Sequence, residues 1–140
     1  MKLKVERIDT WVAPLEDKPG SLTAKLNPLA KSRVNLEFVI ARRAPDQPGM
    51  GVVFVTPIKG AAAIRAAREK GFRETKELSA IRIEGTDKPG QVAAAIQALS
   101  GAGLNLRGLS AAAIGKKFVA FIALDKQEDA AKAVSLLRKL

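Results

Sequence analysis

Asp17-Lys18-Pro19-Gly20 and Asp87-Lys88-Pro89-Gly90 are the same tetrapeptide, the second lying half a chain length after the first. D-x-P-G is a common turn sequence, because Pro presets φ and Gly accepts φ > 0, so the tetrapeptide alone says little. Its surroundings say more. At the same offset Ala24 matches Ala94, Leu29 matches Leu99, Asn35-Leu36 matches Asn105-Leu106, and Ala41 matches Ala111. Beyond this the offset shortens, and Phe54 in VVFVTP falls on Phe121 in VAFIAL. The difference sits where APDQPGMG in the first half faces the shorter AIGKK in the second. Insertions collect in turns, so a duplicated fold tolerates one there. The chain reads as an internal duplication.

The second copy gives the clearer pattern. Ala80–Glu84 alternates and predicts a strand. After the loop, Val92, Ala95, Ile96 and Leu99 recur at helical spacing, with Gly101 and Gly103 as a stop. Leu104–Ala113 and Phe118–Leu124 read as strands around a Gly115-Lys116-Lys117 turn. Asp125 with Glu128 forms a D-x-x-E helix start, and Ala130, Val134 and Leu137 continue a second helix. The first copy follows suit: a strand at Asp9–Leu15, a helix from Ser21, strands at Val34–Arg43 and Gly51–Pro57, and a helix at Ala61–Lys70 ended by Gly71. Pro28 stands where the second copy has Ala98. An interior Pro costs about 3 kcal/mol and a hydrogen bond, so a kinked or shortened helix is expected there.

Strand, helix, strand, strand, helix is the βαββαβ order of ferredoxin-like folds without its last strand. Phe72–Leu78 can supply that strand to the first copy. The second copy ends without one, and Lys2–Arg7 precedes the first copy as Phe72–Glu77 precedes the second. The expected fold class is therefore α+β: two ferredoxin-like repeats with antiparallel sheets and helices on one face. Residues 9–78 form the first repeat and residues 79–140 the second, the latter completed by a strand at residues 2–7.

Composition narrows the chemistry. There is no Cys and no His, which removes thiolate ligands, the usual nucleophile–base pairs and the commonest general base. No carboxylate cluster suggests a metal, and no cofactor is expected. Asp17 and Asp87 are the best carboxylate candidates, each more readily read as a turn former, so the chain is not expected to be an enzyme. No apolar stretch approaches a membrane span, which points to a cytoplasmic protein with no membrane partner. The net charge is +10. Its basic residues are scattered, as on solvated helix faces and loop tips, rather than gathered in one tract.

The sequence resembles the ACT domain family in a tandem, two-domain form. The likeness rests on Asp17–Leu22 with Val34-Asn35-Leu36, and on Asp87–Val92 with Leu104-Asn105-Leu106, and extends from about Trp11 to Leu140. ACT domains are βαββαβ regulatory modules that commonly bind amino acids and control enzymes or transporters. The resemblance implies a small-molecule sensor or regulatory protein acting on an enzyme or transporter in trans. It also implies that Gly20, Gly90, Asn35 and Asn105 line ligand sites between paired domains.

The loop chemistry agrees with that implication. A helix starting after Gly20 or Gly90 leaves its first amide N–H groups without intrahelical partners, and its dipole favours a carboxylate. The donors belong to Gly20, Ser21 and Leu22, and to Gly90, Gln91 and Val92. Asp17 or Asp87 can attract an ammonium, Lys18 or Lys88 stands beside it, and Asn35 or Asn105 offers both a donor and an acceptor. The expected ligand is an amino acid or similar small carboxylate. The plainer reading is that the glycines make the turn and the asparagines satisfy local backbone.

The alternative function is a basic ferredoxin-like nucleic-acid-binding protein, which needs aromatics stacked on the central strands. Phe118 and Phe121 are three apart and so face opposite ways, and no K/R-G-F/Y signature appears. Nucleic acid ranks second. Leu36–Ala41 and Phe118–Leu124 are apolar at both odd and even positions, whereas helices cover one face only. Face-to-face packing, in a homodimer or between the repeats, is the expected cover.

Overall fold

The computed structural model of the chain describes residues 1–76 and 78–140. Its elements are β1 (Lys4–Ile8), β2 (Trp11–Glu16), α1 (Ser21–Lys31), β3 (Phe38–Arg43), β4 (Met50–Thr56), α2 (Ala61–Glu69), β5 (Arg73–Glu74), β6 (Ser79–Thr86), α3 (Gln91–Gly101), β7 (Leu106–Ile114), β8 (Lys117–Leu124) and α4 (Gln127–Leu137). The chain divides into two compact units: Asp9–Thr75, and Met1–Ile8 together with Lys76–Leu140.

In the unit Asp9–Thr75 the sheet order is β3-β4-β2-β5, and every pairing is antiparallel. Trp11, Ala13, Val53 and Val55 project to the helix side and meet Leu29, Ala63, Ala67 and Phe72 in the core. The stretch Phe72–Leu78 was expected to give a full fourth strand. Among the described residues its strand is Arg73–Glu74, extended by the Thr75 amide donating to Thr10 at 3.0 Å, and Glu77 lies outside the described residues.

In the other unit the order is β1-β6-β8-β7, again antiparallel throughout. The N-terminal strand closes this sheet, with Val5 opposite Ile83 and Arg7 opposite Ile81. Ile81, Ile83, Ala120, Ile122 and Leu124 face α3 and α4, whose Ala95, Leu99, Ala130, Ala133 and Leu137 are fully buried against them. Arg138 donates to the Val5 carbonyl at 2.9 Å, and Arg7 pairs with Gln127, so α4 fastens the strand's rim. The ferredoxin-like order and the closing N-terminal strand are thus both present.

Local boundaries follow the caps. Three helices end in the same two-bond closure. After α3, Gly103 at φ +79° donates to Ser100 and Leu104 to Leu99; after α2, Gly71 donates to Arg68 and Phe72 to Ala67. After α1 the left-handed residue is Arg33 at φ +60°, with bonds Arg33 to Ala30 and Val34 to Leu29. Val34 is spent on this closure, so β3 begins at Phe38 and not at Val34. α1 is not shortened by Pro28. It runs on to Lys31 and matches α3 at 11 residues. Pro28 stands near the end, so only its own missing N–H is lost, and its carbonyl still accepts the Ser32 amide at 3.2 Å. Asp125 does not cap α4: the N-cap is Lys126, with Glu128 and Asp129 in the first turn.

Candidate functional site

The first D-K-P-G loop joins β2 to α1 and the second joins β6 to α3. Asp17 donates its amide to Gly49 at 3.0 Å, and Asp87 donates its amide to Lys116 at 2.9 Å. Both bonds anchor the loop to the hairpin turn beside it. Gly20 and Gly90 then turn left-handed, at φ +90° and +81°, and a Cβ added at either would meet nothing within 4 Å. The glycines are therefore required by the backbone turn. Ser21 donates to Lys18 and Gln91 to Lys88, each at 3.3 Å, and Ala24 and Ala94 donate to Gly20 and Gly90. What remains at each entrance is a pair of first-turn amides without helical partners, Leu22 with Thr23 and Val92 with Ala93.

The side chains divide the two loops. In the first, Arg43 Nε donates to Asp17 Oδ2 at 2.7 Å, and Lys18 Nζ lies 2.8 Å from Glu16 Oε2. The Glu16–Lys18 hydrogen bond holds the Glu16 carboxyl below its ordinary value and the Lys18 ammonium above its own. In the second, the sheet register puts Thr86 where the first has Glu16, and Ala113 where it has Arg43. Asp87 and Lys88 are exposed and have no ion-pair partner among the described residues. Sequence reading passed over Glu16 and Arg43. The duplication offset was the available signal, because it already sets them opposite Thr86 and Ala113.

Asn35 and Asn105 are exposed, and among the described residues neither side chain bonds to the local backbone. Each follows its unit's first helix, whereas the loop precedes it. Eleven residues at 1.5 Å put the two features about 16 Å apart along the axis. One unit by itself does not bring its asparagine to its own loop.

The sheet faces away from the helices differ in character. In the unit Asp9–Thr75, Val12, Phe54 and Ile40 lie in one register row, and Pro14, Val52 and Arg42 in the next. In the other unit the central row is Glu6, Arg82, Phe121 and Ser110. The Arg82 guanidinium lies 6.0 Å from the Phe121 ring centre and bonds Glu84 at 3.0 Å and Glu6 at 3.4 Å. Lys117 reaches the other Glu84 oxygen at 3.0 Å. The hydrogen bonds from Lys117 and then Arg82 hold the Glu84 carboxyl below its ordinary value. A nucleic-acid platform would need that Phe121 face for a base, yet an arginine lies over it and two carboxylates flank it. Phe118 is buried on the helix side.

Among the described residues no group of three acidic side chains gathers as cation ligands, and no helix is long and apolar enough to cross a membrane.

No family model and no curated protein matches the sequence. Solved structures do match. A protein from Bacteroides thetaiotaomicron superposes with a TM-score of 0.77 at 19% identity, covering 97% of this chain and 99% of that one. The ligand-free regulatory subunit of aspartate kinase from Thermus thermophilus gives 0.65 at 16% identity, covering 99% and 96%. Aspartokinase III from E. coli, solved with aspartate and ADP, gives 0.60 at 13% identity, covering 98% of this chain and 32% of the enzyme. At these identities the likeness is one of fold, and it spans both units. The chain has the fold of a tandem ACT-domain protein, two ferredoxin-like modules of which the second is closed by the N-terminal strand.

Proposed function

We propose that the chain is a cytoplasmic regulatory or sensor protein without catalytic activity of its own, which binds an amino acid or similar small carboxylate. It works as a homodimer and acts in trans on an enzyme or transporter. The observation that carries this reading is the state of the second loop. There an ammonium-seeking carboxylate, a carboxylate-seeking ammonium and two first-turn amides stand in one loop without partners among the described residues. A zwitterion presents the complementary pair of charges. Val92 and Ala93 donate to its carboxylate beside Lys88, and Asp87 receives its ammonium. Gly90 and Gln91 carry the turn that aims the amides.

The first loop has the same backbone, but its charges are engaged by Arg43 and Glu16. Asp17, Lys18, Gly20, Ser21 and Leu22 form the weaker site of the two. The asparagines, Asn35 and Asn105, stand at the far end of the first helix from their own unit's loop and take no part in the site that the loop forms by itself. Fold neighbours that are regulatory subunits of an amino-acid kinase support the class of protein, not the identity of the ligand.

Calorimetric titration against a panel of free amino acids, with single-stranded RNA as a competing ligand, tests the reading. One amino acid should bind, Gly90→Val should lower its affinity about tenfold or more, and Gly20→Val should do less. Binding of RNA alone, or an unchanged affinity in Gly90→Val, refutes it.

A further inference from the structure

The register of the sheet β1-β6-β8-β7 gathers lysines at one end. Lys4 stands opposite Glu84, Thr86 opposite Lys117, and Lys117 opposite Ile114. Leu3 holds the start of the chain to the same end: it packs on the core, and a Cβ added at Gly85 would lie 2.8 Å from its Cδ2. The Asp87 amide bonds the Lys116 carbonyl, so the hairpin turn and the loop carrying Lys88 meet there too. Lys2, Lys4, Lys88, Lys116 and Lys117 are exposed, and the first four side chains have no hydrogen-bond or ion-pair partner among the described residues. Two carboxylates stand against them: Glu84, already engaged by Arg82 and Lys117, and Asp87.

The corresponding end of the unit Asp9–Thr75 is balanced. Its loop and hairpin carry Glu16, Asp17 and Asp46 against Lys18, Arg42 and Arg43, with Lys18 held by Glu16 at 2.8 Å and Arg43 by Asp17 at 2.7 Å. The surplus thus belongs to one of two duplicated ends, and is more than the scattered excess of a chain of net charge +10.

We propose that this lysine-rich end is a docking surface for an acidic segment of the protein on which the chain acts. The sheet order sets β1 and β7 three strand spacings apart, about 14 Å. A free amino acid does not reach from Lys2 to Lys116. An extended segment with carboxylates on alternate residues, about 7 Å apart, meets several of the lysines at once. Ile114 narrows the partner to a polypeptide. It is 74% exposed, on the same sheet face as Lys4 and Lys117, the face away from the helices. An aliphatic side chain ringed by cations fits an apolar pocket rimmed by carboxylates. A single-stranded nucleic acid calls for rings or arginine forks, and among the described residues this end offers neither: Phe118 is buried on the helix side, and Arg82 is tied to Glu6 and Glu84.

The docking surface and the amino-acid site share the Asp87–Gly90 loop. An amino acid whose carboxylate sits beside Lys88 draws on one of the cations that the acidic segment uses. The two ligands should therefore weaken each other, and by the same factor in both directions. This coupling rests on the reading of the second loop proposed above, whereas the surface itself rests on the lysines and Ile114.

The test is fluorescence anisotropy of a fluorescein-labelled peptide of glutamates around one central leucine, titrated with the full chain in the absence of amino acids. The peptide should bind, and more weakly as salt is raised. Lys2→Glu with Lys116→Glu should lower its affinity about tenfold or more, with the circular dichroism unchanged. Lys76→Glu with Lys126→Glu makes the same change of net charge away from this end and should leave the affinity nearly as it was. Ile114→Ser should weaken the leucine peptide and spare one made of glutamate alone. A wild-type chain that does not bind the peptide overturns the proposal. So does an equal loss in the two charge-reversed variants, or tighter binding of labelled oligouridylate than of the peptide. If Lys2→Glu with Lys116→Glu does not fold, the Ile114→Ser comparison decides. Saturation with an amino acid that calorimetry shows to bind should weaken the peptide about fivefold or more, and an unchanged affinity overturns the shared loop. Peptide binding by a chain that takes no amino acid leaves the docking surface standing and removes the ligand reading instead.

Discussion

Arg43 Nε donates to Asp17 Oδ2 at 2.7 Å, and the residue in Arg43's place in the second unit is Ala113. One substitution separates a carboxylate held by its own sheet from one left open beside a helix entrance. The pair is exposed, so it adds little to stability. Its effect is on what Asp17 can do for a ligand.

Exchanging the two residues should therefore exchange the loops' behaviour. Ala113→Arg gives Asp87 an internal partner and should lower amino-acid affinity about tenfold, the loss of one hydrogen bond to a charged group. Arg43→Ala should raise the affinity of the first loop. Calorimetry on both variants, read as the number of sites and the affinity of each, checks the expectation. Equal affinity in wild type and Ala113→Arg would show that Asp87 does not touch the ligand.

Glu84 supplies a pH dependence. Lys117 and Arg82 hold its carboxyl below the ordinary glutamate value, so the folded state favours the charged form. Its contribution is present in full above the unfolded pKa, about 4.3, and is lost as pH falls through the lower folded value. The unit should lose stability as the solution is acidified below about pH 4.3, and Glu84→Gln should flatten that part of the curve. Urea melts from pH 6 to pH 3, followed by circular dichroism, measure it.

Much of this fold is legible because its signals are local or repeated. Val92, Ala95, Ile96 and Leu99 announce α3 by spacing alone. The missing strand of the second copy is inferred from the order of elements and found at Lys4–Ile8. What escapes depends on contacts made at a distance. β3 starts late because Val34 closes α1 by bonding Leu29, and Arg33 does there what Gly103 does after α3, so no glycine marks the stop. Asp125 looks like a cap in sequence, yet its side chain lies 3.9 Å from Arg107 and the cap falls to Lys126. The unlike states of Asp17 and Asp87 follow from β3 lying next to β4, which sets Arg43 beside the loop. The separation of Asn35 and Asn105 from the loops follows from the helix length between them. Type and spacing of residues identify the parts of the site. Which parts meet is a property of the sheet.

Arg33 is the described non-glycine residue with positive φ, at +60°. A side chain in that region costs about 1–2 kcal/mol, and glycine returns part of the gain through its freer unfolded chain. Arg33→Gly should stabilise the unit Asp9–Thr75 by up to about 1 kcal/mol, and Gly103→Ala should destabilise the other by a similar amount. Thermal melts of both variants give the two signs. A destabilised Arg33→Gly would mean that the arginine side chain makes up for its backbone.

The N-terminal strand should matter to a sheet whose nearest strand, β6, follows it only after the whole unit Asp9–Thr75. β1 pairs with β6 from Lys4–Glu84 to Ile8–Ala80, and Val5 is buried in the core with Ile81 and Ile83. Deleting residues 1–8 removes that ladder, exposes the β6 edge and takes away the Val5 carbonyl that accepts from Arg138. Burial of one valine side chain is worth about 1.5–3 kcal/mol, and each backbone hydrogen bond about 1 kcal/mol. The second unit should therefore lose about 3 kcal/mol or more, a large share of a small domain's stability. Hydrogen exchange will locate the loss: the Ala80–Glu84 amides directed at β1 should exchange far faster, and those directed at β8 should follow only as the whole unit loosens. Unchanged protection across Ala80–Glu84 in the truncated chain would mean that β6 does not need β1, and that three strands suffice to hold this core.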